Sequence, residues 1–329
     1  MNSNMSAEIK AMLLSIGSAD VDASALGTNL SSTAGPDAGN SSFFFKSGEH
    51  RVRLGVNKDS PLKVKKLDNG VVIEKDGIEI VRGEIETALA HCPKQAYITL
   101  SEKCIYDCKF CPVPKLKGKV KSKDEILKIV DNVFKSGELK AISLTSGVEK
   151  SPDYEVDRAV RIVRVLKEKY NVPIGVSVVP TKDSSQKLHN AGVSEVKYNV
   201  ETMDREIFKK VCGDFSLDFI LKALKEAVEI FGKNHVYSNF IIGLGETDET
   251  VRAGVEELAD IGVIPILRAI NPHPLREGET TTIRPSAERL LKLAKMTRSV
   301  LDRYGLRADV AQTMCLPCTG CDLVPHIDL

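Results

Sequence analysis

Apolar and polar positions divide the chain into two stretches with different periods. Between residues 51 and 84, short runs such as RVRLGV and GVVIEK carry β-type side chains, and Asp68-Asn69-Gly70 and Asp76-Gly77 interrupt them. Asn-Gly and Asp-Gly pairs between such runs favour tight hairpin turns. We therefore predict a small antiparallel β unit. Three roles are open for this unit, namely a cap on the main body, a lid and a partner-docking surface.

From residue 96 the pattern changes to short apolar runs that alternate with segments of helical period. Ala141 to Thr145 and Val236 to Ile242 are such runs, and Asp124 to Lys135 repeats apolar residues at three- and four-residue intervals. Six strand–helix pairs follow one another, which predicts parallel strands joined by helical crossovers. A partial (β/α)6 barrel and an open doubly wound sheet both agree with this pattern.

The two ends of the chain differ from this middle part. Residues 1–41 are rich in small and polar residues and predict an irregular segment with one short helix from Ala7 to Leu14. The following Phe43, Phe44 and Phe45 form an apolar anchor onto the main body. We expect four parts, namely the irregular segment 1–41, a small β extension 42–90, the barrel 91–304 and a cysteine-rich tail 305–329.

Composition sets bounds on partners and location. The chain has 329 residues, 42% of them hydrophobic, with 46 Lys and Arg against 45 Asp and Glu. Balanced charge does not suggest nucleic-acid binding, and no apolar run approaches the roughly 18–20 residues that span a bilayer. The N-terminus lacks the pattern of a secretory signal. We therefore expect a cytoplasmic protein whose eight cysteines bind metal rather than form disulfides.

Three of these cysteines stand close together just after the first predicted barrel strand. Cys104, Cys108 and Cys111 have C-x3-C-x2-C spacing, with Phe110 before the last. Three thiolates in one loop suit a soft metal centre, either zinc or an iron–sulfur cluster. Structural zinc sites normally take four protein ligands. A [4Fe–4S] cluster bound by three cysteines keeps one iron open to an outside ligand, and we favour that interpretation.

The same motif resembles the signature of the radical S-adenosylmethionine (radical SAM) superfamily. The resemblance implies that the amino and carboxylate groups of S-adenosylmethionine bind the open iron, and that the reduced cluster cleaves the sulfonium to a 5′-deoxyadenosyl radical. It also favours the partial barrel over the doubly wound sheet. In such barrels, chemistry gathers at the carboxyl ends of the strands.

The resemblance implies roles for residues at those strand ends. Ser146, Gly147 and Glu149 resemble the family's Gly-Gly-Glu segment, which meets the methionyl ammonium, although Val148 interrupts the pattern. Asn199 and Glu201 resemble a biotin synthase segment that binds the ribose hydroxyls.

Three further positions complete the expected site. The stretch around Ile242 resembles the segment whose backbone flanks adenine. Ser177, on strand three, is a candidate inward polar side chain. Arg268, on strand six, is a candidate partner for a substrate carboxylate or for methionine.

A second cysteine run lies near the end of the chain. Cys315, Cys318 and Cys321 have C-x2-C-x2-C spacing. We favour an auxiliary iron–sulfur cluster over zinc or metal-free thiols. Its fourth ligand is Cys92, Cys212 or His326, or is absent.

These features predict a radical SAM enzyme of a biotin-synthase-related branch, similar also to the archaeal two-component lipoyl synthases. We expect hydrogen abstraction from a small-molecule or protein-bound substrate, followed by sulfur insertion. Carbon–carbon bond formation or peptide modification is the alternative, and a non-catalytic iron–sulfur partner subunit is another. Expected partners are S-adenosylmethionine, a low-potential donor of the ferredoxin or flavodoxin type, and a second radical SAM subunit.

Overall fold

Two sheets organise the chain, for which the computed structural model describes residues 4–21, 30–31, 38–88 and 90–329. The first sheet has seven strands and the second has six. The N-terminal elements are helix α1 (Ala7–Ile16) and strands β1 (Ser18–Val21), β2 (Leu30–Ser31), β3 (Ser41–Ser47), β4 (His50–Val56), β5 (Leu62–Lys66), β6 (Val71–Lys75) and β7 (Ile78–Glu86).

The N-terminal strands form a small closed barrel rather than a simple antiparallel unit. Strands β3, β4, β1, β5, β6 and β7 pair in that order, and β7 also pairs with β3. Strand β1 runs parallel to β4 and β5, between which it lies. The short helix predicted from Ala7 to Leu14 is present as α1, which ends two residues later, whereas the expectation of an irregular segment is wrong for β1. Local pattern missed β1 because a four-residue strand is defined by its distant partners.

The apolar anchor of three phenylalanines divides between two faces of β3. Phe43 and Phe45 are buried in the core of the small barrel, and that core also includes Leu290 of a later helix. Phe44 points the other way and packs against Cys92 and Cys318. This alternation follows from the two-residue period of a strand, and it places one aromatic ring beside the tail cysteines.

The second sheet is the predicted partial barrel. Its strands are β8 (Gln95–Thr99), β9 (Ala141–Thr145), β10 (Ile174–Ser177), β11 (Glu195–Lys197), β12 (Val236–Ile242) and β13 (Ile264–Ala269). Neighbouring strands are parallel and follow chain order without reversal. A doubly wound sheet would reverse its strand order at the middle, so the partial (β/α)6 barrel is confirmed.

The helices of the larger barrel follow the strands as expected. They are α2 (Lys123–Lys135), α3 (Pro152–Lys169), α4 (Ser184–Asn190), α5 (Arg205–Val211), α6 (Leu217–Phe231), α7 (Asp248–Asp260), α8 (Ala287–Tyr304) and the short α9 (Cys315–Cys318). Helix α5 was not predicted, since seven residues give too little periodicity to recognise. Among the described residues, none of the helices is long and apolar enough to cross a membrane.

The C-terminal tail returns to the amino-terminal end of the larger barrel. Glu195, at the start of β11, accepts hydrogen bonds from the backbone N–H groups of Gln312 and Thr313 (2.9 and 2.8 Å). The Gln95 side chain, at the start of β8, accepts from the N–H of Met314 (2.9 Å) and donates to its carbonyl (3.0 Å). These contacts hold the following cysteines against the barrel interior.

Candidate active site

The first cysteine loop, Cys104 to Cys111, leaves the carboxyl end of β8 and lines a cavity of about 180 Å³, here called the first cavity. All three thiols are half-buried. The Ile105 N–H donates to the Val148 carbonyl (2.7 Å), and the Cys111 N–H donates to the Cys108 carbonyl (3.0 Å). The structure thus brings the three predicted ligands to one cavity wall at the expected end of the barrel.

A buried arginine that sequence reasoning missed fixes this loop. Arg276, in the turn after β13, is only 2% exposed. Its Nε donates to the Cys111 carbonyl (2.7 Å), and its two terminal nitrogens pair with Glu279 and Asp107, each at 2.7 Å. No local pattern marks this role, because Cys111 and Asp107 lie about 165 residues away along the chain.

The thiols of the first loop are poor acids in the metal-free protein. Burial raises the pKa of Cys104, and it raises that of Cys111 to about 12. The pKa of Cys108 is also raised well above its usual range, first by a hydrogen bond with Cys212 and then by burial. Metal ligation requires thiolates, so cluster binding here must release protons.

The segment after β9 meets the first cavity through two of its three predicted residues. Ser146 and Gly147 line the cavity, and a Cβ on Gly147 would lie 2.4 Å from the Lys103 carbonyl, so only glycine fits there. Glu149 instead forms an ion pair with Arg158 (2.8 Å), which lowers the Glu149 pKa.

The buried carboxylate of this region is Glu155, which the sequence did not single out. It is 1% exposed and accepts hydrogen bonds from the Ser146 hydroxyl (2.9 Å) and the Glu149 N–H (3.0 Å). It also pairs with Arg158 (3.0 Å). Glu155 therefore holds the shape of the segment that faces the cavity, whereas Glu149 lies outside it.

Polar side chains from strands β10 to β12 gather inside the barrel. Ser177, Asn199 and Glu201 all line the first cavity. The Asn199 amide donates to the Glu201 carboxylate (3.1 Å), and burial raises the Glu201 pKa to about 7. Glu201 has a backbone φ of 60°, in the left-handed region. Such strain in a non-glycine residue is often found at functional sites.

Asn239 on β12 adds a polar atom that sequence reasoning did not assign. Its side-chain oxygen is buried and has no hydrogen-bond partner among the described residues, and the side chain faces the barrel interior. Buried polar atoms normally find a partner. A polar residue within the otherwise apolar run of β12 was the available signal.

Strand β12 turns one predicted residue away from the interior. Ile242 is fully buried and lies beside Leu267 and Leu290, whereas Ile241 faces the barrel interior. Only the backbone of Ile242 is left for the expected adenine contact. Glu246 does not cap the next helix, because it accepts from the N–H groups of Gly243 and Leu244 (both 2.8 Å).

Arg268 has a partner within the chain. Its guanidinium donates two hydrogen bonds to Asp322 (3.0 and 2.6 Å), so its main contact is with the tail rather than with an open space for a carboxylate. The arginine still lines a second cavity of about 180 Å³ in the barrel interior. Its position therefore links β13 to the tail cysteines.

The tail cysteine loop, Cys315 to Cys321, faces this second cavity together with Cys92. Cys92 and Cys318 are hydrogen-bonded to each other, which lowers the pKa of Cys318 to about 7; Arg51 and Arg53 add to this effect. Burial raises the pKa of Cys321 to about 12. The Lys197 ammonium lies 3.6 Å from the Cys315 sulfur.

The two cavities share part of their walls. Cys108, Cys111, Ser177, Asn199 and Glu201 line both. The barrel interior therefore has one cysteine set at its carboxyl end and the other at its amino end, with polar side chains between them. Among the described residues, no three His, Cys, Asp or Glu side chains converge as the ligands of a single metal ion would.

Comparison with known proteins identifies the larger barrel. Residues 98–258 match the family model of the Radical SAM superfamily. The chain is similar to a protein of Saccharolobus islandicus named "Probable GTP 3′,8-cyclase", with 30% identity over 186 residues. That match covers 55% of this chain and 58% of the relative, which is less than two thirds of its length.

Two further comparisons agree on the barrel. A protein of the same name from Saccharolobus solfataricus is 27% identical over 244 residues, covering 69% of this chain and 77% of the relative. The crystal structure of methylornithine synthase superposes with a TM-score of 0.53 at 20% identity, covering 61% of each chain. At that identity, the superposition supports the fold alone.

The family implies a [4Fe–4S] cluster and S-adenosylmethionine, and the residues fit both groups. Cys104, Cys108 and Cys111 supply soft ligands on one cavity wall. The buried Asn239 oxygen is a polar atom that still needs a partner. Residues 98–258 therefore form a radical SAM domain.

Proposed function

We propose that this chain is a radical SAM enzyme that acts on a substrate placed between its two cysteine sets. The observation that carries the proposal is that the first cavity and the second cavity share walls, so both sets face one interior. When bound, the cluster at the first loop supplies the electron that cleaves S-adenosylmethionine to methionine and a 5′-deoxyadenosyl radical. That radical removes a hydrogen atom from the substrate.

The chain's own residues position the cofactor and exclude water. Ser146 and Gly147 face the methionyl end, while Glu155 holds them in place. Asn199 and Glu201 form hydrogen bonds with the ribose hydroxyls. Because the Glu201 pKa is raised to about 7, its carboxyl is available in both protonation states near neutral pH.

Further contacts belong to the same proposal. The backbone at Ile241 and Ile242 flanks adenine, and Ser177 completes the inner wall of the first cavity. Glu149 affects this site only through its ion pair with Arg158. Arg268 holds the tail through Asp322 and reaches a substrate only at the second cavity.

We propose sulfur insertion as the reaction outcome, with a second cluster at the tail cysteine loop as the sulfide source. Cys92 and the three cysteines of the tail loop all face the second cavity, which suits a cluster next to the substrate. A cluster held by these thiols would supply sulfide to the substrate carbon that has lost its hydrogen atom, and would accept the electron released when the carbon–sulfur bond forms. This branch, which resembles biotin and lipoyl synthases, is our hypothesis; the relatives reported above carry a different name.

Cyclisation of a nucleotide is the second candidate function. It is favoured by the 30% identity to a probable GTP 3′,8-cyclase. That match covers only 58% of the relative's length, and we therefore rank cyclisation second.

Anaerobic reconstitution separates these functions. We expect about seven to eight irons per chain and 5′-deoxyadenosine on reduction by dithionite or a ferredoxin-type donor. With GTP as probe, stimulated 5′-deoxyadenosine and a cyclised product would favour the second candidate. Loss of cluster sulfide during turnover supports sulfur insertion, and intact sulfide alongside a carbon–carbon or peptide-linked product contradicts it.

One further outcome bears on the whole proposal. No 5′-deoxyadenosine, either alone or with a second radical SAM subunit, would make the chain a non-catalytic partner. A reducing cytoplasm is the compartment we propose, because both cysteine sets must stay reduced to bind iron.

A further inference from the structure

Cys92 lies where the two barrels join, just before β8, and it is 1% exposed. Its side chain belongs to one buried cluster with Cys318 and with Phe44 of the small barrel. It also lines the second cavity with the three cysteines of the tail loop. Cys92 and the tail cysteines, from two distant parts of the chain, therefore meet at one cavity.

The backbone fixes Cys92 relative to the tail. Cys92 forms an antiparallel bridge with Gln95. The side chain of Gln95 holds both the N–H and the carbonyl of Met314, which directly precedes Cys315. The distance between Cys92 and the tail cysteine loop is thus set by hydrogen bonds on both sides, independently of any metal.

The other candidates for a fourth ligand are engaged elsewhere. Cys212 is hydrogen-bonded with Cys108 and lines the first cavity, not the second. Both ring nitrogens of His326 have partners: Nδ1 accepts from the Ala308 N–H (3.2 Å), and Nε2 lies 2.9 Å from Asp302. Cys92 is the remaining candidate of the three.

Buried cations surround the tail cysteine loop and suit a site with four negative thiolates. The Arg51 guanidinium donates to the Cys318 carbonyl (3.1 Å). Arg53 lines the second cavity, and its backbone N–H donates to the Gly320 carbonyl (2.7 Å). Lys197 approaches Cys315, while Arg268 is paired with Asp322. Buried charge is tolerated when opposite charges lie close by.

We propose that Cys92 is the fourth thiolate ligand of the second cluster, which leaves that cluster without an open iron. This inference rests on the second cluster of the proposed function. A [4Fe–4S] cluster with four cysteines is coordinatively saturated. The substrate therefore does not bind the second cluster through a vacant iron, and electron relay or sulfide donation are its remaining roles.

The test uses the full chain with Cys104, Cys108 and Cys111 replaced by Ala, so that only the second cluster remains. After anaerobic reconstitution, we expect about four irons and no electron–nuclear coupling from added ¹³C-cyanide, a probe that binds vacant iron. Adding Cys92→Ala opens one iron. We then expect cyanide coupling, together with oxidation to a [3Fe–4S] cluster with its characteristic electron paramagnetic resonance signal.

Cys212→Ala in the same background is the matched control, because it removes an equally buried thiol; we expect iron content and spectra unchanged. Cyanide coupling in the parent, before any change at Cys92, would overturn the proposal, and this measurement does not depend on how the variant folds. Identical spectra from the parent and from the parent with Cys92→Ala would also overturn the proposal. A parent that binds no iron would instead remove the second cluster from the proposed function.

Discussion

The two cysteine loops lie in opposite electrostatic surroundings although they face adjoining cavities. The charged groups that act on the first loop include acids: Glu201 and Asp214 near Cys108, and Glu155 near Cys104. In the tail loop the charged groups are mainly cations: Arg51 and Arg53 act on Cys318, and Arg268 and Arg53 act on Cys321, where Asp322 opposes them. Neighbouring acids oppose thiolate formation, whereas neighbouring cations favour it.

The two loops also differ in how they are held and in what their cavities can accept. The first loop has three half-buried thiols at a cavity that accepts an outside ligand, whereas in the tail loop Cys318 is buried and Cys315 and Cys321 are half-buried. The tail loop is held by α1, by the small barrel and by the floor of the larger barrel. Changes at the first loop should therefore affect chemistry, while changes around the tail loop should affect stability and the later reaction step.

The largest expected effect comes from removing one thiol of each set. Cys104→Ala leaves two ligands in the first loop, so we expect 5′-deoxyadenosine formation to fall to background. Cys315→Ala leaves the first loop intact, so we expect 5′-deoxyadenosine to persist without the sulfur-containing product. Chromatography of both products checks this. Equal loss of 5′-deoxyadenosine in the two variants would erase the distinction between the loops.

The second effect concerns the buried ion pair that ties α1 to the tail. Lys10 donates to Asp328 and to the Thr319 carbonyl, both at 2.6 Å, and the Lys10 and Asp328 side chains are 0% exposed. Among the described residues, Lys10→Met leaves the buried Asp328 carboxylate with the His50 ring (2.9 Å) as its remaining ion-pair partner. We expect a loss of about 3–5 kcal/mol in the free energy of unfolding, measured by denaturant titration.

An exposed ion pair supplies the control for Lys10. Arg205 pairs with Glu257 at 2.9 Å, with side chains 55% and 41% exposed. Arg205→Ala should cost no more than about 1 kcal/mol. If Lys10→Met lowers the free energy of unfolding as little as Arg205→Ala does, the Lys10–Asp328 ion pair does not hold the tail against α1.

The third effect is smaller and local to the first loop. Arg276→Ala removes the donor to the Cys111 carbonyl, and hydrogen bonds from a charged group contribute about 1.5–3 kcal/mol each. We expect the first cluster to lose iron faster to a chelator, while the second cluster keeps its iron. Lys115 is an exposed residue that contacts the same turn, so Lys115→Ala is the control. It should leave the rate of iron loss from each cluster unchanged.

The contrast between the loops also explains what sequence reasoning could and could not find. Strands β9 and β12 were predicted with their observed bounds, because each is a short run of mainly β-type side chains between helical segments. The thiols of both sets were found from spacing alone. Glu155, Arg276 and Asn239 were missed because their roles depend on partners that meet only in the folded chain.

The same limit applies to larger features. A six-strand ring that includes β1 depends on pairings across the whole N-terminal part, which no local pattern encodes. The expectation for Glu149 met a related limit. It came from the resemblance to the family's Gly-Gly-Glu segment, but Glu149 pairs with Arg158 and does not line the first cavity.

The smallest expected effect tests the acidic surroundings of the first loop through pH. Burial raises the Glu201 pKa from its ordinary 4.5 to about 7, so the folded state binds this proton more tightly than the unfolded state. The stabilising contribution of the proton is complete below about pH 4.5 and is lost as pH rises to about 7. Glu201→Gln removes this titration. In the metal-free protein, the variant's melting temperature relative to wild type should therefore be higher at about pH 8 than at about pH 5. A pH-independent difference for Glu201→Gln would mean that its carboxyl is not desolvated at the first cavity.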